Sequence, residues 1–180
     1  MTEQVLIKKL KNPKTLNSAF KELVSIYKER LYWHIRKIVI NHDDADDVLQ
    51  NTFVKVFKNI DRFKEESKLF SWMYRIATNE AITFINQRAK KHQTTTEEIQ
   101  QKIISNLATD NYFDGDNAQL QLQKAIATLP QKQQLVFNMK YFDSLKYHEI
   151  SEILDTSVGA LKTSYHIAVK KIELYIKTHH

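Results

Sequence analysis

The chain contains no cysteine and, across 180 residues, only two glycines (Gly115, Gly159) and two prolines (Pro13, Pro130). Without cysteine there is no disulfide, no thiolate metal site and no sulfur nucleophile. Tight hairpins and strand-to-helix turns lean on glycine, Asn-Gly pairs and proline, so their scarcity predicts an all-α fold. No run approaches the roughly 20 consecutive apolar residues of a membrane-spanning helix, and the opening MTEQVLIKKLKNPK is too polar for a secretion signal. A soluble, cytoplasmic protein is expected. A glycine-rich phosphate loop, an HExxH pair and a nucleophile elbow are also missing. The histidines at 34, 42, 92, 148, 166, 179 and 180 form no ligand-spaced cluster. The expectation is a protein without catalytic residues, metal, cofactor or small-molecule substrate, and so not an enzyme.

What is present begins with charge. There are 27 Lys+Arg against 21 Asp+Glu and a pI near 9.3, a balance that suits a polyanionic partner. Residues 1–92 hold 18 basic and 11 acidic side chains, residues 93–117 one lysine and five acids, and residues 118–180 eight basic and five acidic. The acidic middle block, rich in Thr, amides and the turn signal Asp114-Gly115-Asp116, is longer than most loops inside a compact domain. It reads as a flexible acidic linker, with one short helix around Glu97 to Leu107. Two small helical domains, 1–92 and 118–180, should flank it.

Apolar residues in the first domain recur every three or four positions, the helical period. Phe20, Leu23, Val24, Tyr27, Leu31, Ile35 and Ile38 mark one long helix that breaks at Asn41–His42. A second, from about Asp43, carries Leu49, Phe53, Val56 and Ile60 inward. A third, from about Ser67, carries Phe70, Met73, Tyr74, Ala77, Ile82 and Ile85 and ends in the basic NQRAKKH. In the second domain Leu120–Leu129 leads to a helix opened by Pro130 and continued by Leu135, Val136 and Met139. After it, Ile150, Ile153 and Leu154 end a short helix, and Asp155-Thr156-Ser157 forms a turn. A longer helix capped by Ser157 then runs through Val158, Leu161, Tyr165, Ala168, Ile172 and Tyr175. Helix, short turn and longer helix with a basic outer face make a helix-turn-helix pattern.

Three constellations stand out. Asp43, Asp44, Asp46 and Asp47 crowd a helix start, where the macrodipole favours negative charge; the stretch lacks the mid-loop glycine and late Glu of a calcium loop. Dipole-favoured solvated acids and a docking face for a basic partner both fit. Trp72, Tyr74 and Arg75, with Lys64, Lys68, Arg88, Lys90 and Lys91 around them, fit either core aromatics with solvated cations or stacking rings beside a phosphate-tracking surface. Lys162, Thr163, His166, Lys170 and Lys171 form an ordinary solvated face or a face that meets base edges and phosphates.

Three segments in series resemble the extracytoplasmic-function branch of bacterial sigma factors, of the sigma-70 family. DADDVLQNTFVKVFKNIDRF resembles the core-binding helix, LFSWMYRIATNEAITFINQRAKK the −10 recognition and melting segment, and the chain from Leu129 to Ile172 the −35-reading domain. The resemblance implies that Asp47, Gln50, Asn51 and Val54 face the polymerase β′ clamp, with Asn51 in place of the usual Glu. It implies a pocket for a flipped −10 base in the loop from Asn59 to Lys68, with Phe63 and Lys64, and with Asn79 beneath. Trp72 and Tyr74 would stand near the melting point, with Arg75, Arg88 and Lys90 along the strand. Ser157, Lys162, Thr163, His166 and Lys170 would serve the −35 element, while Ser164, Ile167 and Val169 occupy positions where the family often has arginine. The implied partners are RNA polymerase core (β′ clamp and β flap), promoter DNA and, in some members, a membrane-bound anti-sigma factor. A stand-alone helix-turn-helix regulator is the main rival reading and leaves the Trp72–Asn79 segment and the acidic helix without a task; a purely protein-binding helical adaptor is a third and leaves the basic last helix unexplained.

Overall fold

The computed structural model describes residues 1–107 and 116–179, and among them every regular element is helical. The helices are α1 (Glu3–Leu10), α2 (Leu16–Val39), α3 (His42–Asn59), α4 (Leu69–His92), α5 (Thr96–Leu107), α6 (Asn117–Ala127), α7 (Gln131–Tyr141), α8 (Tyr147–Leu154) and α9 (Val158–Thr178). A short 3₁₀ turn, Ile60–Arg62, follows α3. The chain divides into two compact units, one built mainly from Met1–Ile85 and the other mainly from Asn86–Ser151 and Thr156–His180.

In the first unit, α2 buries Ala19, Leu23, Leu31, His34, Ile35 and Val39, a stripe at helical spacing. It meets α3, whose inward row is Ala45, Val48, Thr52 and Val56. Leu49 and Phe53, expected on that face, are half-buried at its edge. Thr52 hides its hydroxyl by donating to the Val48 carbonyl at 2.7 Å, as helical Thr commonly does. Ile40 turns the chain between the two helices at φ 66° and ψ −36°, a positive-φ conformation that costs a β-branched residue about 1–3 kcal/mol. Asn41 then opens α3, its Oδ1 accepting the Asp44 N–H at 3.1 Å. α4 buries Leu69, Phe70, Met73, Tyr74, Ala77, Thr78 and Ala81. α1, which precedes the predicted helices, buries Leu6, Ile7 and Leu10 and packs on α2.

The second unit has a core of Ala125, Ile126, Leu129, Phe137, Ala168 and Ile172, flanked by Leu122, Tyr165, Val169, Tyr175 and Ile176. Pro130 is the residue that caps α7 from outside. The turn after α8 places Asp155 at φ 51°, a left-handed position that Asp tolerates. Ser157 Oγ accepts the Ala160 N–H at 3.2 Å, the predicted cap of α9. Within 93–117, α5 is a helix opened by a reciprocal capping box. The Thr95 N–H donates to Glu98 Oε2 at 2.8 Å, and the Glu98 N–H to Thr95 Oγ1 at 3.2 Å. α5 packs on α6 and buries Leu107. Asp114 and Gly115 of the expected turn lie outside the described residues, whereas Asp116 caps α6 through the Ala118 N–H at 3.0 Å.

Candidate polymerase and nucleic-acid surfaces

The α3 stripe facing away from the core carries the acids. Asp43, Asp46, Asp47, Gln50, Asn51 and Val54 are all exposed, and Val54 and Phe57 remain 50% and 38% accessible. Phe57 is held edge-on against Phe20 at 5.0 Å between ring centres. An acidic stripe with an apolar lower end is therefore presented on a rigid helix. His42 reaches Asp46 at 3.5 Å one turn on, and also contacts the Tyr32 hydroxyl. Among the described residues no group of three or more His, Cys, Asp or Glu is placed to hold a metal. Lys55, next to Val54 on α3, is ion-paired to Glu80 of α4. That pair offsets a positive charge next to the acidic stripe.

The second surface runs from the loop after α3 along α4. Trp72, Arg75 and Asn79 occupy one face of α4 at steps of three and four; Trp72 is half-buried and the other two are exposed. Phe63 is 3% exposed and lies against Trp72, ring centres 5.1 Å apart. Lys64, Lys68, Arg88 and Lys90 are exposed. Asn59 is half-buried, its amide donating to the Lys55 carbonyl at 2.8 Å as it ends α3. Glu65 sits mid-loop at φ 62°. Strained backbone of this kind, costing about 1–3 kcal/mol, gathers at functional sites.

Tyr74 follows the apolar period of α4 and not the DNA-facing place that the family resemblance implies. It is 0% exposed, stacked on His34 at 4.2 Å and tilted against Phe70 at 4.4 Å. Its hydroxyl donates to the Arg30 carbonyl at 3.5 Å, and the Arg30 guanidinium lies 3.8 Å from the Phe70 ring centre. His34 Nε2 is 2.7 Å from the Thr78 hydroxyl. Tyr74 is thus a core residue: one position after Met73 and three before Ala77, it falls on the buried side of α4, opposite Arg75. Nearby, the Tyr27 hydroxyl is pushed above its ordinary pKa by burial and by the Glu3 carboxylate, partly opposed by Arg30.

On α9, Lys162, Thr163, His166 and Lys170 are exposed together on the side away from Leu161, Ala168 and Ile172, and Ser157 is exposed at the helix start. Thr163 Oγ1 donates back to the Gly159 carbonyl at 3.1 Å. The Tyr147 ring lies beside two ammonium groups, Lys140 at 4.7 Å and Lys162 at 5.8 Å, so Lys162 is steered by a ring on the preceding helix. Of the positions where arginine is frequent in the family, Ile167 is exposed, and Ser164 and Val169 are half-buried. Sequence reasoning missed Tyr147 as a neighbour of Lys162. It also missed the exposed pair Tyr141 and Phe142 at the end of α7 (55% and 37%).

Comparison with known proteins matches residues 23–91 to Sigma-70 region 2 and residues 119–172 to Sigma-70, region 4. The ECF RNA polymerase sigma factor SigW of Bacillus subtilis is 32% identical over 173 residues, covering 91% of this chain and 92% of that protein. The chain belongs to the extracytoplasmic-function sigma factors of the sigma-70 family. The ECF RNA polymerase sigma-E factor of Haemophilus influenzae is 25% identical, covering 96% and 94% of the two chains. Two solved structures share the fold at 18% identity. CnrH, in complex with the cytosolic domain of CnrY, has a TM-score of 0.72 and covers 99% of both chains. The sigma factor RpoE of Bartonella quintana, in complex with the anti-sigma factor NepR, has a TM-score of 0.68 and covers 89% of this chain and 98% of that one. In this sigma factor the acidic stripe and the Trp72 face fall inside the region 2 match, and the exposed α9 face falls inside the region 4 match. Helix α1 falls outside both.

Proposed function

We propose that this sigma factor directs promoter-specific initiation, without catalysis of its own, by dividing the work among these surfaces. Asp47, Gln50, Asn51 and Val54 dock on the polymerase β′ clamp, where an acidic stripe with an apolar end suits a basic, partly apolar partner. Ser157, Lys162, Thr163, His166 and Lys170 meet the −35 duplex, cations on phosphate and the early α9 residues nearer the base edges. The loop from Asn59 to Lys68, with Trp72, Arg75 and Asn79, receives an unpaired −10 base, and Arg88 and Lys90 follow the strand. Flipping a base costs a few kcal/mol, which stacking worth about 1–3 kcal/mol per base offsets. Residues 1–92 and 118–180 act as the two functional domains, with 93–117 between them spanning polymerase and avoiding DNA through its negative charge. The protein works in the cytoplasm, where polymerase is.

The observation that carries this reading is the order of the two matches, region 2 before region 4, on one chain. A stand-alone regulator has no use for the first. The solved RpoE structure holds the anti-sigma factor NepR, and such a partner, membrane-bound in some members of the family, is proposed here too. Permanganate footprinting of reconstituted holoenzyme on a promoter it transcribes tests the division of labour. The −10 thymines should become reactive with the wild-type chain. They should lose that reactivity, while −35 protection persists, when Trp72 and Arg75 are both changed to Ala. Loss of −35 protection in the same variant would refute the assignment.

A further inference from the structure

Helix α1 lies outside the region 2 match, which begins at residue 23, and no surface described so far uses it. Its apolar side packs through Leu6, Ile7 and Leu10, but its polar side chains reach elsewhere. Glu3 Oε1 accepts the backbone N–H of Leu69, the first residue of α4, at 3.2 Å across 66 positions of sequence. The opening N–H groups of a helix have no partner within it, and here a side chain from a distant helix supplies one, with the charge sign the dipole favours. Just past α1, Lys11 Nζ donates to Glu65 Oε1 at 2.7 Å, and the same ammonium stands 5.9 Å from the Phe63 ring centre. Phe63, Glu65 and Leu69 are the start, the strained middle and the far end of the loop that joins α3 to α4. The Lys11–Glu65 pair is 35% and 36% exposed and contributes little to global stability. Its leverage is positional, because it holds the one left-handed residue of that loop.

We propose that α1 is a brace that keeps the α3–α4 loop in its base-receiving shape, with Glu3 and Lys11 as positioning residues. The inference rests on the reading of that loop as the −10 site. Released from the brace, the loop would sample other shapes, and apparent affinity for the unpaired strand would fall with the competent fraction.

The test uses the full chain with Glu3→Ala, Lys11→Ala, the double variant, and Glu3→Gln, which keeps a neutral acceptor. Amide hydrogen exchange across 63–70 should quicken by about three- to tenfold in the double variant, the range expected for losing a helix cap. Exchange in α2 and α9 should hold steady, and Glu3→Gln should fall back towards wild type. Holoenzyme carrying the double variant should bind a single-stranded −10 oligonucleotide about three- to tenfold more weakly and bind core polymerase as before. Unchanged exchange at 63–70 overturns the brace. So does a uniform rise across the first unit with a lower melting temperature, which would make α1 ordinary scaffolding. Faster loop exchange with unchanged −10 affinity overturns the positioning role. Wild-type holoenzyme that ignores the −10 strand would sink the functional reading instead, and the exchange measurement would still decide the brace.

Discussion

Tyr74 belongs to the WMYRIA segment that the family resemblance assigns to promoter melting, yet its ring is buried between His34 and Phe70. Two substitutions separate a core role from a DNA-facing one. Tyr74→Ala removes a fully buried ring from a packed site, a change that costs about 3–5 kcal/mol. Small domains are stable by only about 5–15 kcal/mol in total, so the first unit should melt far lower and promoter opening should fail with it. Tyr74→Phe keeps the ring and removes the hydroxyl, whose bond to the Arg30 carbonyl is 3.5 Å long, at the outer limit of a hydrogen bond. That variant should cost about 0–1 kcal/mol. Urea unfolding followed by circular dichroism gives the stabilities, and permanganate reactivity of the −10 thymines gives promoter opening. The core assignment expects Tyr74→Phe to match wild type in both. A Tyr74→Phe protein of normal stability that opens promoters tenfold less well would refute it, because the hydroxyl would then be meeting DNA.

Three further substitutions probe the other surfaces. Asp47→Lys reverses the charge at the centre of the exposed α3 stripe; co-elution with core polymerase should be lost while the circular dichroism spectrum and melting stay unchanged, and retained co-elution would contradict the docking face. Ser157→Ala removes the acceptor for the Ala160 N–H and should cost about 1 kcal/mol of stability in the second unit, read as a lower urea midpoint for that unit. Lys170→Ala should weaken −35 duplex binding about equally on all sequences and reduce the slope of log affinity against log salt by about 1; a sequence-selective loss would place Lys170 on a base edge instead.

The long helices were legible because apolar residues recur at the helical period over stretches where little else competes. The Asp155–Ser157 turn falls where that period breaks, and Ser157 follows from capping chemistry, whereas the grouping of Asp47, Gln50, Asn51 and Val54 is what the family resemblance implies. The misplacement of Tyr74 shows how motif and period can disagree. The motif draws it to the DNA side, whereas Phe70, Met73, Ala77 and Ala81 set the buried row to which it belongs. α1 carried a readable signal in Leu6, Ile7 and Leu10 ahead of the Pro13 stop, but helices of eight residues form only when tertiary packing supports them. The capping box at Thr95 and Glu98 was also readable and bounds α5 more sharply than composition does. Glu3 to Leu69, Lys55 to Glu80 and Tyr147 to Lys162 were not legible. Each joins different elements, and no local pattern encodes which helix faces which.

Run-off transcription with purified core polymerase, with and without this chain, on fragments of DNA from the source genome decides whether the protein directs initiation. New transcripts from discrete start sites should arise only when the chain is present and be lost with Asp47→Lys. Core polymerase that gives the same transcripts with and without the chain on every template would contradict that role.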